Sequence, residues 1–201
     1  MPDRVSEEDV RRSPGRRTLF LLRRLGFGYS CFKVFELPLD RAAATGGPAL
    51  PDGYRFVELS ALEVASCPFA ELRECEWYGG PGSHLFGILR DDVLVCMQCL
   101  WFGERYRQKA FWPLGSDDAA SVHLVTAPPE RGKGLATQLK RHSAERLRDR
   151  GFAHLYSRIW WTNTASLRVS EKAGWSQVGT VLELEAPWRR EPIRRVFHRH
   201  R

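Results

Sequence analysis

The chain has 201 residues, a length that suits one domain with a short extension, and its 43% hydrophobic and 11% aromatic residues exclude a disordered composition. No run approaches the roughly 18 apolar residues that a membrane-spanning helix needs. The formal net charge is +7, and much of the basic charge lies in the first 24 and last 13 residues. This balance is typical of proteins that bind nucleic acid, an anionic lipid surface or a polyanionic cofactor.

Five cysteines are scattered along the chain, at Cys31, Cys67, Cys75, Cys96 and Cys99. An odd, scattered set argues against a secreted disulfide framework. Cys96 and Cys99 have a CxxC spacing, but they lie in the apolar run "VLVCMQCLWF", which predicts a strand. Residues three apart on a strand face opposite sides of the sheet, so we expect buried thiols rather than a metal or redox site.

The first part of the chain, residues 1–53, is predicted to be a basic extension. Residues 16–25, "RRTLFLLRRL", have the periodicity of a short helix with arginines on one side and leucines on the other. Such a helix either docks on its own domain or lies on a membrane surface. Residues 31–39 alternate as a strand does, and residues 41–53 are predicted to be a linker.

Residues 54–201 are predicted to form one domain in which the strand order changes part-way. The signals in its first part are a strand at 54–60, a helix interrupted near Pro68, two strands joined around Asp91-Asp92 and a short strand at "AFWPL". Its second part alternates, with strands at 121–127, 153–161, 175–186 and 193–199 and helices at 131–150 and 163–174. This order predicts a mixed α/β (α+β) fold with a partly parallel centre.

The stretch "RGKGLA", residues 131–136, follows one of these strands and opens a helix. The start of a helix offers unpaired N–H groups and a partial positive charge, and glycines let a bulky anion approach them. Arg131 and Lys133 add two cationic side chains. The stretch therefore predicts a cradle for phosphate or pyrophosphate, and the alternative is a tight turn with no ligand. It matches neither the P-loop pattern nor the GxGxxG pattern.

Two motifs stand in order in this half of the chain. Residues 131–136 read Arg-x-x-Gly-x-Ala; residues 163–166 read Asn-Thr-Ala-Ser, and residues 172–175 read Lys-Ala-Gly-Trp. In their strand and helix context they resemble the GNAT superfamily of acyl-CoA-dependent N-acyltransferases over about residues 54–185. The resemblance implies a central mixed sheet with an antiparallel N-terminal half, splayed fourth and fifth strands, and flanking helices.

The resemblance also implies a co-substrate, acetyl-CoA or another acyl-CoA, and no metal. The turn would hold the pyrophosphate, the strand before it would pair with the pantetheine arm, and the second motif would position the thiol end. The residues implied to bind the co-substrate are Leu124, Val125, Thr126, Arg131, Gly132, Lys133, Gly134, Leu135, Ala136, Asn163 and Ser166. For Asn163 a simple helix N-cap is an alternative role, and both roles are compatible.

The catalytic residues depart from the pattern that the resemblance implies. A tyrosine often follows the motif serine by four residues and protonates the departing thiolate, and here Ser170 holds that position. Either Ser170 or a water relays the proton, or the thiolate leaves unassisted. The oxyanion would be stabilised by a backbone N–H in the segment 124–126. The superfamily's frequent base position is Ala120, which cannot titrate.

Other side chains are therefore candidates for the base that deprotonates the amine. His123 has the best intrinsic pKa, although strand alternation predicts that it faces opposite to Ala120 and Leu124. Glu76 is a second candidate, for binding or deprotonating an acceptor. The remaining titratable candidates are Glu104, Asp117 and Asp118.

The sequence thus predicts an N-acyltransferase that moves an acetyl or longer acyl group from acyl-CoA to a primary amine. The alternative is a catalytically weak or inactive module that binds CoA, an anionic membrane or nucleic acid through its basic ends. A third version places an active enzyme at a membrane through residues 16–25, with a membrane-associated acceptor. Nucleic acid is not the expected partner, a homodimer stays open, and the free cysteines and acyl-CoA supply indicate the cytoplasm.

Overall fold

A computed structural model describes residues 28–42, 49–107, 110–189 and 192–199. The strands in this part of the chain are β1 (Gly28–Pro38), β2 (Tyr54–Leu59), β3 (Ser83–Arg90), β4 (Val93–Trp101), β5 (Asp118–Thr126), β6 (His154–Trp160), β7 (Ser176–Glu185) and β8 (Ile193–His198). The helices are α1 (Leu39–Ala42), α2 (Ala61–Ala65), α3 (Ala70–Arg73), α4 (Gly103–Arg107), α5 (Leu135–Arg148) and α6 (Thr164–Lys172), with short 3₁₀ turns at Glu76–Tyr78 and Pro128–Glu130.

All these strands belong to one sheet with the order β2-β3-β4-β5-β6-β1-β7-β8. The pairing of β5 with β6 is parallel, and the other strand pairs among the described residues are antiparallel. The predicted mixed fold with a partly parallel centre is confirmed. The parallel contact lies in the middle of the sheet, where both faces are covered.

Strand β1 lies inside the sheet, between β6 and β7. It pairs with β6 from Phe32↔Trp160 to Pro38↔His154, and with β7 along most of its length. Its residues 34–37 are buried. The described part of the predicted N-terminal extension is therefore part of the same sheet as residues 54–199, whereas the helix predicted at 16–25 lies outside the described residues.

Local sequence signals produce the predicted breaks between elements. Asp91 and Asp92 both have positive φ, +48° and +63°, as a tight hairpin turn between β3 and β4 requires. The helical stretch after β2 is broken into α2 and α3 around Pro68, as expected. Ser60 and Glu63 form a capping box that fixes the start of α2.

The prediction of a short strand at "AFWPL" is wrong. Residues 110–114 form bends and irregular chain instead. The backbone of Trp112 finds its partner in a side chain: the Trp112 N–H donates to the Tyr106 hydroxyl at 2.9 Å, and that hydroxyl donates to the Trp112 carbonyl at 2.7 Å. Pro113 has no N–H to offer a neighbouring strand, so the segment gains nothing from a ladder.

The two faces of the sheet carry separate apolar clusters. Helices α5 and α6 cover one face, where the buried cluster includes Phe35, Leu139, Leu155 and Trp175. On the opposite face a second cluster includes Val34, Trp101, Tyr106, Trp112, Ala120 and Val181. Neighbouring residues of β1, Val34 and Phe35, thus belong to different faces, as strand alternation requires.

We expect Phe35→Ala to lower the free energy of unfolding by about 3–5 kcal/mol, because the change leaves a cavity under α5 and α6. Phe35 is 2% exposed, whereas Phe197 on the edge strand β8 is 56% exposed. The control Phe197→Ala should change the free energy of unfolding by less than about 0.5 kcal/mol. Urea unfolding followed by circular dichroism measures the free energy of unfolding of both variants. If Phe35→Ala lowered it as little as Phe197→Ala does, β1 would not be a core strand.

Candidate active site

The sheet splits at its one described parallel contact. Strands β5 and β6 pair from Asp118↔His154 to Ser121↔Ser157, and the pairing ends there although both strands continue. Residues 118–121 are buried, while residues 122–126 are half-buried. The predicted splay of β5 and β6 is confirmed. It leaves an opening between residues 122–126 of β5 and residues 158–160 of β6.

A β-bulge marks the place where the split begins. His123 lies opposite Cys99 on β4, but the next paired residues are Ser121 and Leu100, so Val122 is an extra residue on β5. A bulge of this kind bends its strand and shifts the alternation of the side chains that follow. Bulges are frequent beside active sites for that reason.

The bulge changes the face that His123 occupies. His123 lies opposite Cys99, and Ala120 lies opposite Trp101. Cys99 and Trp101 are two residues apart on β4, so they share a face, and their partners share it too. The expectation that His123 faces away from Ala120 is wrong, because Val122 adds one residue between them. His123 therefore stands on the same face as the implied base position.

The surroundings of His123 keep its imidazole neutral. Its ring stacks on the ring of Tyr78, with centroids 4.8 Å apart and planes 15° apart. Tyr78 stacks in turn on Trp77, which is 53% exposed. Burial lowers the pKa of His123 from its usual value. A neutral imidazole beside the opening is able to accept a proton around pH 7.

The glycine turn leaves the start of α5 open. Gly132 and Gly134 have φ of +80° and +79°, and no atom lies within 4 Å of where a Cβ would stand. Gly134 is the N-cap and no side chain caps the helix there. The start of α6, by contrast, is capped by Asn163, whose Oδ1 accepts the Ser166 N–H at 3.1 Å. The first N–H groups of α5 therefore face open space, as an anion cradle requires.

The buried carboxylate of Glu130 holds the glycine turn in place. Glu130 is 5% exposed, and it accepts bonds from the Tyr54 hydroxyl at 2.6 Å, Arg90 at 2.7 Å and Lys133 at 2.8 Å. The Lys133 ammonium, helped by the Tyr54 hydroxyl, lowers the pKa of Glu130 to about 2. The Lys133 side chain thus binds Glu130, and a direct bond from its ammonium to a cofactor stays a prediction.

The backbone at the end of β5 is directed into the opening. The Ala127 N–H donates to the Val95 carbonyl on β4 at 2.8 Å. Because backbone groups alternate along a strand, those of Leu124 and Thr126 point away from β4, toward the opening. Arg131 Nε donates to the Thr126 carbonyl at 3.1 Å, which ties the turn to this strand end. An extended ligand can pair with β5 here.

A buried amide stands beside the split, and sequence reasoning missed it. Gln98 is fully buried on β4 and its Nε2 donates to the Ser121 hydroxyl at 2.9 Å. Its Oε1 is buried and has no hydrogen-bond partner among the described residues. A lone amide within the apolar run "VLVCMQCLWF" was the available signal. A buried unpaired oxygen of this kind is costly unless a ligand donates to it.

Ser170 is hydrogen-bonded to a buried lysine. Lys140 Nζ donates to Ser170 Oγ at 3.1 Å, and it lies 3.7 Å from the centroid of the Trp175 ring. Both residues are 1% exposed, at the contact between α5 and α6. Burial lowers the pKa of Lys140 to about 7. Sequence reasoning missed Lys140 because the amphipathic pattern of α5 does not distinguish a buried lysine from an exposed one.

The other candidate residues lie apart from the opening or are exposed. Asp118 stands at the paired end of β5, where it accepts the Gly115 N–H at 2.8 Å and contacts His154. Glu104 is exposed and pairs with Arg107 on α4. Glu76 and Asp117 are exposed. Their catalytic roles stay predictions.

The cysteines are free, and four of the five are buried. Burial raises the pKa of Cys96 to about 12 and that of Cys99 well above its usual value. The two side chains belong to clusters on opposite faces of the sheet, as expected. No group of three metal-ligating side chains occurs among the described residues.

A family model described as "Acetyltransferase (GNAT) family" matches residues 54–175, more than half of the chain. The chain belongs to the GNAT family. The match includes both motifs and most of the split sheet. Activity in this family is acyl transfer from acetyl-CoA, and the comparisons give no support to the alternative of a non-catalytic module.

Solved GNAT structures share the fold. A tandem GNAT protein from the clavulanic acid biosynthesis pathway matches with a TM-score of 0.56 and 17% identity, over 98% of this chain and 59% of that one. A GCN5-related N-acetyltransferase from Kribbella flavida matches with a TM-score of 0.54 and 14% identity, over 87% of this chain and 64% of that one. One from Sphaerobacter thermophilus matches with a TM-score of 0.53 and 16% identity, over 88% and 57%.

These likenesses concern the fold alone. The chain spans 57–64% of the length of these three structures. A comparison with curated proteins gives no match. Among the described residues, no helix is long and apolar enough to cross a membrane.

We expect Lys140→Met to change how stability depends on pH. The pKa of Lys140 is about 7 in the folded chain, against 10.5 when the chain unfolds. Between these values the unfolded chain binds more protons, so wild-type stability rises with pH across this window. The variant lacks that rise and is more stable at pH 7, by roughly 1–4 kcal/mol.

Thermal unfolding at several pH values between 7 and 10 measures this difference. Lys172→Met, at an exposed position on α6, is the matched control and should keep the wild-type slope. Parallel stability curves for wild type and Lys140→Met would contradict a neutral buried lysine.

Proposed function

We propose that this protein is an N-acyltransferase that moves an acetyl or longer acyl group from acyl-CoA to a primary amine. One observation carries the proposal: the uncapped start of α5, at Gly134, follows strand β5, which separates from β6. A pyrophosphate at that helix start and an extended arm along β5 account for both features at once. The cytoplasmic location indicated by the free cysteines is part of the proposal.

The residues present fit such a co-substrate. The backbone N–H groups of residues 132–136 would hold the pyrophosphate, and the backbone groups of Leu124 and Thr126 would pair with the pantetheine arm. Ser166 lies on the first turn of α6 and would contact its thiol end together with Asn163. The unpaired Gln98 oxygen supports this fit, since a pantetheine amide N–H would supply the missing donor.

His123 is the proposed base. The reacting amine must lose a proton, because an ammonium has no lone pair to attack a thioester carbonyl. The neutral imidazole stands beside the opening on the same face of the sheet as Ala120, and its lowered pKa leaves it able to accept a proton at pH 7. A backbone N–H in the segment 124–126 would stabilise the oxyanion.

Lys140 and Ser170 are the proposed source of the proton for the departing thiolate. Ser170 alone is a poor acid, but its hydroxyl accepts from Lys140 Nζ at 3.1 Å. A lysine whose pKa is about 7 holds a proton part of the time at neutral pH and is able to pass it through the serine. This pair would replace the tyrosine that the family often has.

We expect Gly134→Asp to weaken acetyl-CoA binding strongly, as measured by titration calorimetry. Asp places a carboxylate where the pyrophosphate is proposed to stand. Gly134→Asn is the matched control, because Asn adopts the same positive φ and has the same shape without the charge. Wild type should bind with micromolar affinity, the Asn variant more weakly, and the Asp variant at least about 30-fold more weakly than the Asn variant.

The cradle is contradicted if the Asp and Asn variants bind equally well, or if the wild type does not bind acetyl-CoA. Circular dichroism and thermal unfolding establish that both variants are folded. Repeating the titration at higher salt should reduce the difference between the two variants, since the charge at position 134 is exposed.

His123→Gln should lower kcat/KM by about 100-fold at pH 8. The ratio of wild-type to variant kcat/KM cancels the titration of the amine, which is common to both. This ratio should fall toward one as the pH drops through the pKa of His123, below its usual 6.5, because a protonated imidazole is no base. His154→Gln, at the paired end of β6, is the control. A ratio that does not depend on pH would remove His123 as the base.

A further inference from the structure

Arg158 stands on the wall of the opening across from His123. Tyr156 lies directly opposite Ala120 in the last paired segment of β5 and β6, and Arg158 follows two residues later on β6. It also lies opposite Val34, a member of the cluster that contains Ala120. Because residues two apart on a strand share a face, the side chains of Arg158 and His123 leave the sheet on the same face, from opposite walls of the opening.

The guanidinium of Arg158 is enclosed by aromatic rings. Its Cζ lies 4.3 Å from the centroid of the Phe32 ring and 5.4 Å from that of Phe111. Arg158 is half-buried, and burial lowers its pKa from the usual value, although a guanidinium keeps its charge at any physiological pH. The rings fix the orientation of the planar group and contact its face.

The N–H groups of Arg158 have no hydrogen-bond acceptor among the described residues, and no ion pair to it forms there. The carboxylate whose charge acts on it, that of Glu183, is bound by Arg194 at 2.8 Å through Nε and 2.7 Å through Nη2. Glu36, on the same face of β1, accepts the Tyr156 hydroxyl at 2.8 Å. Both nearby acids are thus engaged with other partners.

A half-buried guanidinium whose N–H groups find no acceptor among the described residues is unfavourable unless a ligand supplies one. Its five N–H donors match the two oxygens of a carboxylate or phosphate. A purely structural cation–π contact explains the ring contacts but leaves the N–H edge unused. Arg158 stands on the wall of the opening and on the face of the proposed base, and this position indicates a ligand that also reaches His123.

We propose that Arg158 binds an anionic group of the acceptor, so that the acceptor is a small amine carrying a carboxylate or a phosphate. This inference rests on the proposed function and adds the substrate class. Adjacent strands lie about 4.8 Å apart where they pair and farther apart in the opening, so a span of a few covalent bonds between amine and anion fits. The amine would stand at His123 and the anion at Arg158.

The test measures binding of matched amines to the protein saturated with free CoA. The pairs are alanine with alaninamide, and phosphoethanolamine with ethanolamine, each at equal free-amine concentration. Wild type should bind the anionic member of one pair about 10- to 100-fold more tightly than the neutral member, the effect expected for hydrogen bonds to a charged group. The pair that shows the preference distinguishes a carboxylate from a phosphate.

Arg158→Gln should remove this preference and leave binding of the neutral members within about twofold. Arg158→Lys should retain part of it, because a point charge replaces the fork. Arg146→Gln, at an exposed position on α5, removes the same formal charge and should keep the preference in full.

Equal binding of both members of each pair by wild type overturns the inference. So does an Arg158→Gln variant that weakens both members equally, which is the result of a structural role. Titration with acetyl-CoA separates the two proposals. The Arg158→Gln variant should bind acetyl-CoA as tightly as wild type does. A wild-type protein that does not bind acetyl-CoA would overturn the proposed function itself.

Discussion

The ending of one parallel contact governs the rest of this molecule. Strands β5 and β6 exchange backbone bonds over four residue pairs and then separate, while both continue as strands. Each wall of the resulting opening is held by its outer neighbour instead: β5 by β4 as far as Thr126, and β6 by β1 as far as Trp160. Without β1, the far wall would have no ladder beyond Ser157. Strand β1, which precedes the family match, therefore supports one wall of the opening.

The split also decides which groups reach it. The bulge at Val122 lies where the strands separate, and it delivers His123 to the face of Ala120. The same divergence leaves the backbone at 124–126 directed into the opening, just before the turn that starts α5. On the other wall Arg158 uses the same face. One defect in a regular sheet thus brings together an imidazole, backbone donors, an uncapped helix start and the strand that carries Arg158.

Much of the fold follows from local sequence signals, while the contacts of the site do not. Asp91-Asp92, Pro68 and the strand–helix alternation fix most elements, and the resemblance carried by the two motifs predicted the splay. The anion cradle that they also predicted stays a proposal. A bulge leaves no mark in the sequence of a short apolar strand, so strand alternation alone predicts the wrong face for His123. The bonds of Glu130 to Tyr54 and of Lys140 to Ser170 join residues distant in sequence. Their partners depend on packing, which a local pattern does not contain.

The opening between β5 and β6 has a consequence for the stability of the fold. An extended molecule is able to enter this opening without breaking any backbone hydrogen bond of the sheet. The hydrogen bonds that it forms there stabilise only the folded chain. A ligand present at 100 times its dissociation constant adds about 2.7 kcal/mol to the free energy of unfolding. The fraction of chains open to proteolysis would then fall as the concentration of that ligand rises.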